Sequence, residues 1–460
     1  MAIWSRYPTI YEINTWVWLA YLSEKAGTAV DLRSVPASEW NAIAKCGFDA
    51  VWLMGVWERS PAGIAIANRN AGLLADFRRA LPDFRVQDNV GSPYCVRSYM
   101  VDQHLGGPEG LAVARGELAK RGLRLILDFV PNHVAPDHPW VGAHPGYFVQ
   151  GSADDARNDP GSFVTIGGRT YACGRDPYFP AWPDVLQLNA FQPGLRRAVL
   201  ETISGIAGQC DGIRCDMAML VLNDVFERTW GQRAGSRPAA EYWAEIIPAT
   251  KKAHPDFRFI AEAYWDLEWE LQQQAFDFCY DKRLYDRLEH ANAESVRLHL
   301  CADLAYQEKL LRFIENHDEP RAAAVFSPGE GKGGCGRDGH RAGGETLLRR
   351  AVRGTESTAA RILGPASRRA CRSGIADVLP EAAGSHRCPG LSRGAMEPLR
   401  AHGLARQLQL SEPRGLELDH GRRPLSHRRQ PQRRRRPSQG SRALGRHPRK
   451  DVASDRCLLG

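Results

Sequence analysis

The sequence has no aromatic residue after position 330, although its 460 residues include 12 Trp, 13 Tyr and 15 Phe. Aromatic side chains contribute much of the buried area of protein cores. The same region is strongly basic, because residues 331–460 hold 28 Lys and Arg against 11 Asp and Glu, whereas residues 1–330 hold 33 against 42. The chain therefore divides into an acidic body that can build a core and a basic tail with little material for one.

The sequence also lacks paired cysteines and long apolar runs. Its 11 cysteines are scattered and never stand as Cys-x-x-Cys, which argues against a disulfide framework and a zinc site. No run approaches the length of a membrane span, and the first residues lack the basic and apolar segments of a secretory signal. These absences predict a reducing compartment, with the cytoplasm as the expected location and no membrane partner.

Short apolar runs alternate with helical stretches through the acidic body, as expected of parallel strands buried on both faces. We predict strands at residues 9–18, 48–54, 123–130, 211–216, 257–262, 276–280 and 311–316. Repeated strand–helix units with acids at the strand ends are typical of a (β/α)₈ TIM barrel. An eighth strand is expected about 25 to 35 residues after Asp318, judging from the length of such units. None is recognisable there, so the predicted barrel, residues 1–133 and 191–330, is incomplete.

Two segments interrupt this pattern. Residues 58–93 are rich in Asn, Asp, Arg and Gly and predict a long irregular loop at one end of the sheet. Residues 134–190 are rich in Pro, Gly, Asp and His, and they are too long for an ordinary connection. We therefore predict a small inserted domain, domain B, after the third strand.

The basic tail, residues 331–460, allows three interpretations. It is a disordered tail that binds nucleic acid around residues 432–436, a solvated linker, or an out-of-frame translation of a GC-rich gene. A single basic run without interleaved aromatic residues is weak support for nucleic acid, so no such partner is expected. The frameshift is favoured, since a shifted reading of residues 344–354 can encode a strand-like run where the eighth strand is missing.

Carboxylates at the predicted strand ends suggest a reaction. Retaining cleavage of a glycosidic bond needs two carboxyl groups about 5 Å apart, one as nucleophile and one as acid and base. Asp216 and Glu262 end successive strands and so lie on the same rim, and Asp318 reaches it from across the barrel. Arg214 points to the same side of its strand as Asp216 and can keep that carboxylate ionised.

Each of these residues also has a structural interpretation. A single aspartate at a strand end is usually a loop cap or an ion-pair partner, and Glu262 alone fits a structural ion pair. His133 and His317 are placed to donate to sugar hydroxyls, yet each could equally support a loop through its hydrogen bonds. The four strand-end motifs in this order and spacing are a far more specific signal of a functional site than any one of these residues alone.

Four stretches together resemble the signature regions of the α-amylase family of glycoside hydrolases. They are Asp128-Phe-Val-Pro-Asn-His133, Gly212-Ile-Arg-Cys-Asp216, Ala261-Glu-Ala263 and Asn316-His-Asp318. The likeness covers residues 8 to about 326 and implies a barrel with domain B after the third strand. It also implies a retaining mechanism with Asp216 as nucleophile, Glu262 as acid/base and Asp318 as stabiliser of the transition state.

The resemblance further implies a subsite for the attacked sugar. Arg214, His133 and His317 match positions that line it, and Tyr94 matches a stacking tyrosine. Ser98 stands where many members carry aspartate, which changes the hydrogen bonding of that loop. The expected substrate is an α-glucan, an oligosaccharide or a small α-glucoside.

Several alternatives stay open from the sequence. The same residues serve a hydrolase or a transglycosylase, and a non-catalytic sugar-binding barrel or an inactive truncated barrel with exposed strand edges is the rival outcome. Many members of the family hold a structural calcium with an asparagine like Asn132 as one ligand. Calcium requires six to eight oxygens, which the sequence alone does not assemble.

Overall fold

The computed structural model describes residues 4–290 and 292–326, together with the backbone of a short strand at residues 344–348. Eight parallel strands form a closed barrel. The strands are β1 Thr9–Asn14, β2 Ala50–Met54, β3 Arg124–Phe129, β4 Gly212–Cys215, β5 Arg258–Ala261, β6 Phe278–Tyr280, β7 Leu310–Phe313 and β8 Gly344–Leu348. They follow one another around the barrel in chain order, and β8 lies between β7 and β1. The predicted TIM barrel is confirmed.

The eighth strand corrects the prediction of an incomplete barrel. β8 begins within the expected interval after Asp318 and pairs in parallel with both β1 and β7. Its sequence, Gly-Glu-Thr-Leu-Leu, has one β-branched residue and no aromatic one, so strand propensity gives little signal there. Apart from β8, the predictions for residues 331–460 fall outside the described residues.

Helices follow most strands, and further helices lie in the loop after β2 and in domain B. The helices are Thr15–Ala26, Ala37–Lys45, Pro61–Ala67, Ala71–Ala80, Gly107–Ala119, Pro139–Ala143, Ala153–Asn158, Pro193–Ala207, Asn223–Trp230, Tyr242–Ala253, Glu268–Gln273, Lys282–His290, Ala293–Leu300, Leu304–Gln307 and Ala322–Val325. No helix in the described part of the chain is long and apolar enough to cross a membrane.

Two local predictions are wrong. The strand predicted over residues 9–18 ends at Asn14, because the Asn14 side chain accepts the backbone N–H of Val17 and caps a helix at Thr15. Residues 58–93 are not irregular throughout. Two helices form there, capped by the side chains of Ser60 and Asn70.

The segment between β3 and the helix Pro193–Ala207 forms domain B, as predicted. It contains a four-stranded antiparallel sheet, in the spatial order first, fourth, third, second. Its strands are His133–Val134, Phe163–Ile166, Arg169–Gly174 and Trp182–Gln187. A side chain on Gly174 would bring its Cβ within 2.8 Å of Val185, so glycine allows the strands to pack closely.

Candidate active site

Arg214 is the centre of a buried charge cluster at the carboxyl end of the barrel. Its guanidinium is only 1% exposed and lies over three aromatic rings, with centroid distances of 5.2 Å to Tyr94, 5.4 Å to Trp52 and 5.7 Å to Tyr280. Nη1 lies 2.5 Å from Asp216 Oδ1. A charge buried this deeply is stable only when it is paired, so Arg214 holds Asp216 in place.

Glu262 lies at the other end of the same guanidinium. Its Oε2 is 2.7 Å from Arg214 Nη2, an ion pair whose direction does not meet hydrogen-bond geometry. The same oxygen accepts the backbone N–H of Met217 at 2.5 Å, and Oε1 accepts the hydroxyl of Tyr264 at 2.8 Å. Met217 adopts a left-handed backbone with φ of 40°, which turns its N–H toward Glu262.

Burial raises the pKa values of both carboxyl groups. The pKa of Glu262 rises to about 7, because burial and the neighbouring acids Asp216 and Asp318 outweigh the attraction of Arg214. Burial also raises the pKa of Asp216, while Arg214 opposes the change. The guanidinium of Arg214 thus pairs with both Asp216 and Glu262, and the carboxyl group of Glu262 can hold a proton at neutral pH.

Asp128 is a third buried acid beside Arg214. Its Oδ1 lies 4.0 Å from Arg214 Nη1, and its Oδ2 accepts the backbone N–H of Gly55 at 3.0 Å. Burial raises its pKa to about 6 although Arg214 lowers it. Asp128 ends β3 next to β4, so its side chain adds negative charge at the base of the site.

His317 links the opposite side of the rim. Its Nδ1 lies 2.7 Å from Glu12 Oε1 on β1, and its Nε2 lies 2.6 Å from the Tyr94 hydroxyl and 3.0 Å from Asp318 Oδ2. Burial lowers the pKa of His317, but Asp318 and Glu12 outweigh burial and raise it to about 9. The imidazole therefore carries a proton at neutral pH, and Asp318, with its side chain 22% exposed, is more open to ligands than Asp216 or Glu262.

His133 occupies the domain B side of the same site. Its ring meets Trp182 edge to face at 5.3 Å, and it lies close to the backbone of Tyr94. Burial lowers its pKa to about 4, so His133 is neutral at pH 7. Tyr94 thus joins His133 to His317, and its ring lies against Arg214.

The structure therefore brings all seven predicted site residues into one network. The predicted residues are Tyr94, His133, Arg214, Asp216, Glu262, His317 and Asp318. They come from the ends of β3, β4, β5 and β7 and from the loop after β2, the rim where active sites of such barrels lie.

Comparisons with known proteins find similar sequences and a similar fold. No protein-family model matches the chain. The chain is 26% identical over 266 residues to the α-1,4-glucan:maltose-1-phosphate maltosyltransferase of Bifidobacterium longum, covering 54% of this chain and 29% of that protein. It is 23% identical over 330 residues to α-amylase MalA of Haloarcula japonica, covering 69% and 40%. These similarities support the resemblance of the chain to the α-amylase family.

The crystal structure of an α-amylase from Lactobacillus plantarum has a similar fold. The two superpose with a TM-score of 0.53 at 19% identity, covering 81% of this chain and 77% of that chain. The chain spans less than half the length of the two sequence relatives, at 29% and 40%. The structural likeness therefore shows the barrel fold.

The calcium that many α-amylase family members hold does not fit the residues described here. Asn132 Oδ1 accepts a hydrogen bond from Gln187 Nε2 at 2.8 Å, so this oxygen is already engaged. Among residues 4–290 and 292–326, no group of three or more Asp, Glu, His or Cys side chains could hold a metal ion. The contact between Asn132 and Gln187 joins barrel and domain B by hydrogen bonds instead.

Sequence reasoning missed three residues of the site. Glu12, 2% exposed, is the buried partner of His317, Tyr264 donates to Glu262, and Tyr280 lies beneath Arg214 and accepts its Nε–H at 3.4 Å. Glu12 had a signal, since it is a single acid within the apolar run Thr9–Asn14. A buried acid in a strand requires a partner, which here comes from 305 residues away.

Proposed function

We propose that this protein is a glycoside hydrolase that cleaves α-glucosidic bonds with retention of configuration. The pair Asp216 and Glu262, held at the two ends of one guanidinium, supports this reaction most directly. Relatives named as α-amylase and α-1,4-glucan:maltose-1-phosphate maltosyltransferase support an α-glucan as the substrate class. The carboxyl pair supplies both groups that a double displacement requires.

In the first step, Asp216 attacks the anomeric carbon and the bond to the leaving oxygen breaks. Arg214 keeps the Asp216 carboxylate ionised for this attack, because its guanidinium favours the charged form. Glu262, whose pKa is about 7, gives its proton to the leaving oxygen. In the second step the ionised Glu262 takes a proton from water, which displaces Asp216 and releases the sugar.

Asp318 and the two histidines bind the sugar in this proposal. The ring acquires positive charge in the transition state, and Asp318, more exposed than the other two carboxylates, is placed to stabilise that charge. Protonated His317 already donates to Glu12 and toward Asp318, so it acts on the sugar through the Asp318 carboxylate, whereas neutral His133 can donate or accept. The opposite protonation states give the two sides of the subsite different hydrogen-bonding roles.

A transglycosylase is the second candidate. The relative from Bifidobacterium longum is named as a maltosyltransferase, and the same two carboxyl groups would serve if a sugar hydroxyl replaced water in the second step. The choice depends on whether water or an acceptor sugar reaches Glu262.

The test is an assay of the full chain on maltooligosaccharides and p-nitrophenyl α-glucoside beside Asp216→Asn. We expect turnover by the wild type, loss of turnover in the variant, and α-configured first products by NMR. Longer products would favour transglycosylation, and β-configured products would contradict retention. Binding of maltooligosaccharides without turnover would favour a sugar-binding barrel, and aggregation of both chains would indicate an inactive truncated barrel.

A further inference from the structure

The turn after β4 holds both the side chain and the backbone of Glu262. The Met217 N–H donates to Glu262 Oε2 at 2.5 Å, and the Ala218 N–H donates to the backbone carbonyl of Glu262 at 3.1 Å. The backbone N–H of Glu262 donates to the carbonyl of Cys215 at 3.0 Å. The position of the acid/base therefore depends on the conformation of residues 215–218.

This turn is unfavourable by itself and requires support from outside. Met217 has φ of 40°, a left-handed backbone that residues with a side chain rarely adopt. The Leu220 N–H donates to the carbonyl of Met217 at 2.9 Å and closes the turn from within. Residues 218–221 are buried, so their peptide groups need protein partners in place of water.

Trp243, in the first turn of the helix Tyr242–Ala253, supplies such a partner. Its indole Nε1–H donates to the carbonyl of Ala218 at 2.8 Å, and the whole side chain is buried. The ring packs edge to face against Tyr242 and Phe276, each at a centroid distance of 5.0 Å. An indole has a single N–H donor and no acceptor, so this packing directs its one hydrogen bond at Ala218.

We infer that Trp243 is a positioning residue for the acid/base Glu262. Its hydrogen bond holds the Ala218 peptide, and the turn that this peptide anchors directs the Met217 N–H at the Glu262 carboxylate. Trp243 acts through the backbone, since its N–H donates to Ala218 and not to a carboxyl group. This rests on the proposed function and deepens it, because it assigns part of the control of the Glu262 proton to a buried residue on the helix Tyr242–Ala253.

The groups around Glu262 fix the direction of the expected change. Burial raises the pKa of Glu262 to about 7, and the Met217 N–H opposes this rise because it stabilises the charged form. The other titratable groups that act on Glu262 are Arg214 and Asp216 of β4, Tyr264 after β5, Tyr280 of β6 and Asp318 after β7. Trp243 donates to none of them, so removal of its N–H should act through the Met217 contact and raise the pKa of Glu262.

The test compares the pH profile of the full chain with those of two changes at Trp243. Trp243→Phe should raise, by about one unit, the pH at which kcat/KM for maltoheptaose falls, the value of a charged hydrogen bond that is largely lost. Benzothienylalanine at position 243 keeps the ring shape and replaces the N–H by sulfur, and it should produce the same shift. Trp18→Phe is the control, because the Trp18 ring is buried against Trp40 and its Nε1–H has no partner among the described residues. Its pH profile should match that of the wild type.

An unchanged pH profile in the benzothienylalanine protein, or a shift of equal size in Trp18→Phe, would overturn the inference. If the wild type turns over no substrate, the proposed catalysis fails and the pKa of Glu262 is measured directly. NMR of isotope-labelled glutamate carboxyl groups follows that titration, with Glu262→Gln to assign the signal. A higher pKa in the Trp243→Phe protein would support the positioning role, whereas an unchanged pKa would reject it.

Discussion

Two buried charge clusters in this barrel use similar residues and differ in balance. Around Arg214, one guanidinium serves Asp216 and Glu262 at contact distance and Asp128 at 4.0 Å. Around Asp281, one carboxylate serves Arg312 at 3.2 Å, His299 at 2.8 Å and the backbone N–H of Leu284. The cluster around Arg214 has more carboxylates than cations. In the cluster around Asp281, both carboxylate oxygens accept from donors.

The difference separates a buried network that can exchange a proton from one that only holds elements of the fold together. Burial, together with the surplus of carboxylates around Arg214, raises the pKa of Glu262 to about 7, so a proton can enter and leave near neutral pH. The Asp281 cluster ties β6, β7 and the helix Ala293–Leu300 together with no acid in excess. We therefore expect substitutions in the first cluster to remove activity and substitutions in the second to remove stability.

Glu262→Gln should have the largest effect. It removes the proton that the leaving oxygen needs, so kcat/KM for maltoheptaose should fall by about 10³-fold. p-Nitrophenolate leaves without a proton, so formation of the glycosyl-enzyme from p-nitrophenyl α-glucoside, measured as a burst of p-nitrophenolate, should fall much less. Equal losses on the two substrates would contradict the acid role of Glu262.

Asp281→Asn should act on folding instead. It leaves Arg312 and His299 without their shared carboxylate, and loss of one partner of a buried ion pair costs about 3 to 5 kcal/mol. Urea unfolding of the full chain would measure the free energy of unfolding, while kcat per folded molecule should stay near the wild-type value. A stable but inactive variant would abolish the distinction between the clusters.

Glu12→Gln tests the side of the rim that holds His317. Without the carboxylate on Nδ1, the pKa of His317 should fall from about 9, and kcat/KM should drop about tenfold through a weaker charged hydrogen bond. NMR titration of the imidazole measures the pKa directly. Glu39→Gln breaks the ion pair with Lys25 and serves as a control that should leave His317 unchanged. An unaltered pKa in Glu12→Gln would refute this role.

Tyr264→Phe should produce the smallest change. The acid form of Glu262 is needed, so kcat/KM should be high below pH 7 and fall as pH rises through about 7. The Tyr264 hydroxyl donates to Glu262 and favours its charged form, so its removal should move this fall upward by about half a pH unit.

Tyr242→Phe is the matched control for this pH profile. Its hydroxyl is buried and has no hydrogen-bond partner among the described residues, and its ring packs against Trp243. The pH profile of Tyr242→Phe should therefore match that of the wild type. A shift of equal size in both variants would indicate a general loosening of the site.

Much of the barrel could be predicted because its strands are apolar runs that end in acids. β2 is buried at every residue, and such runs stand out in the sequence. The run Thr15 to Trp18 was wrong as a strand, because packing of Trp18 against Trp40 and the Asn14 cap outweigh the strand propensity of its residues. β8 was missed because its position depends on pairing with two neighbours rather than on its own composition.

The site could be predicted from the sequence where acidic residues follow successive strands. Asp216 and Glu262 met that condition, and strand order alone put them on one rim. Glu12 and Tyr264 act through another residue, and their roles depend on distances that no local pattern encodes.

Strand β8 has a consequence for the order of assembly. Glu12 on β1 is aligned with Leu348 of β8, and Phe313 on β7 is aligned with Thr346 of β8. β8 therefore sets the distance between β1 and β7, and with it the contact between Glu12 and His317. During synthesis at about 5 to 20 residues per second, β1 waits tens of seconds before that neighbour exists. Glu12, which raises the pKa of His317, is thus among the first residues synthesised and among the last to contact its partner. A frame error between residues 319 and 343 would keep the three proposed catalytic carboxylates in the sequence but remove the strand that aligns Glu12 with His317.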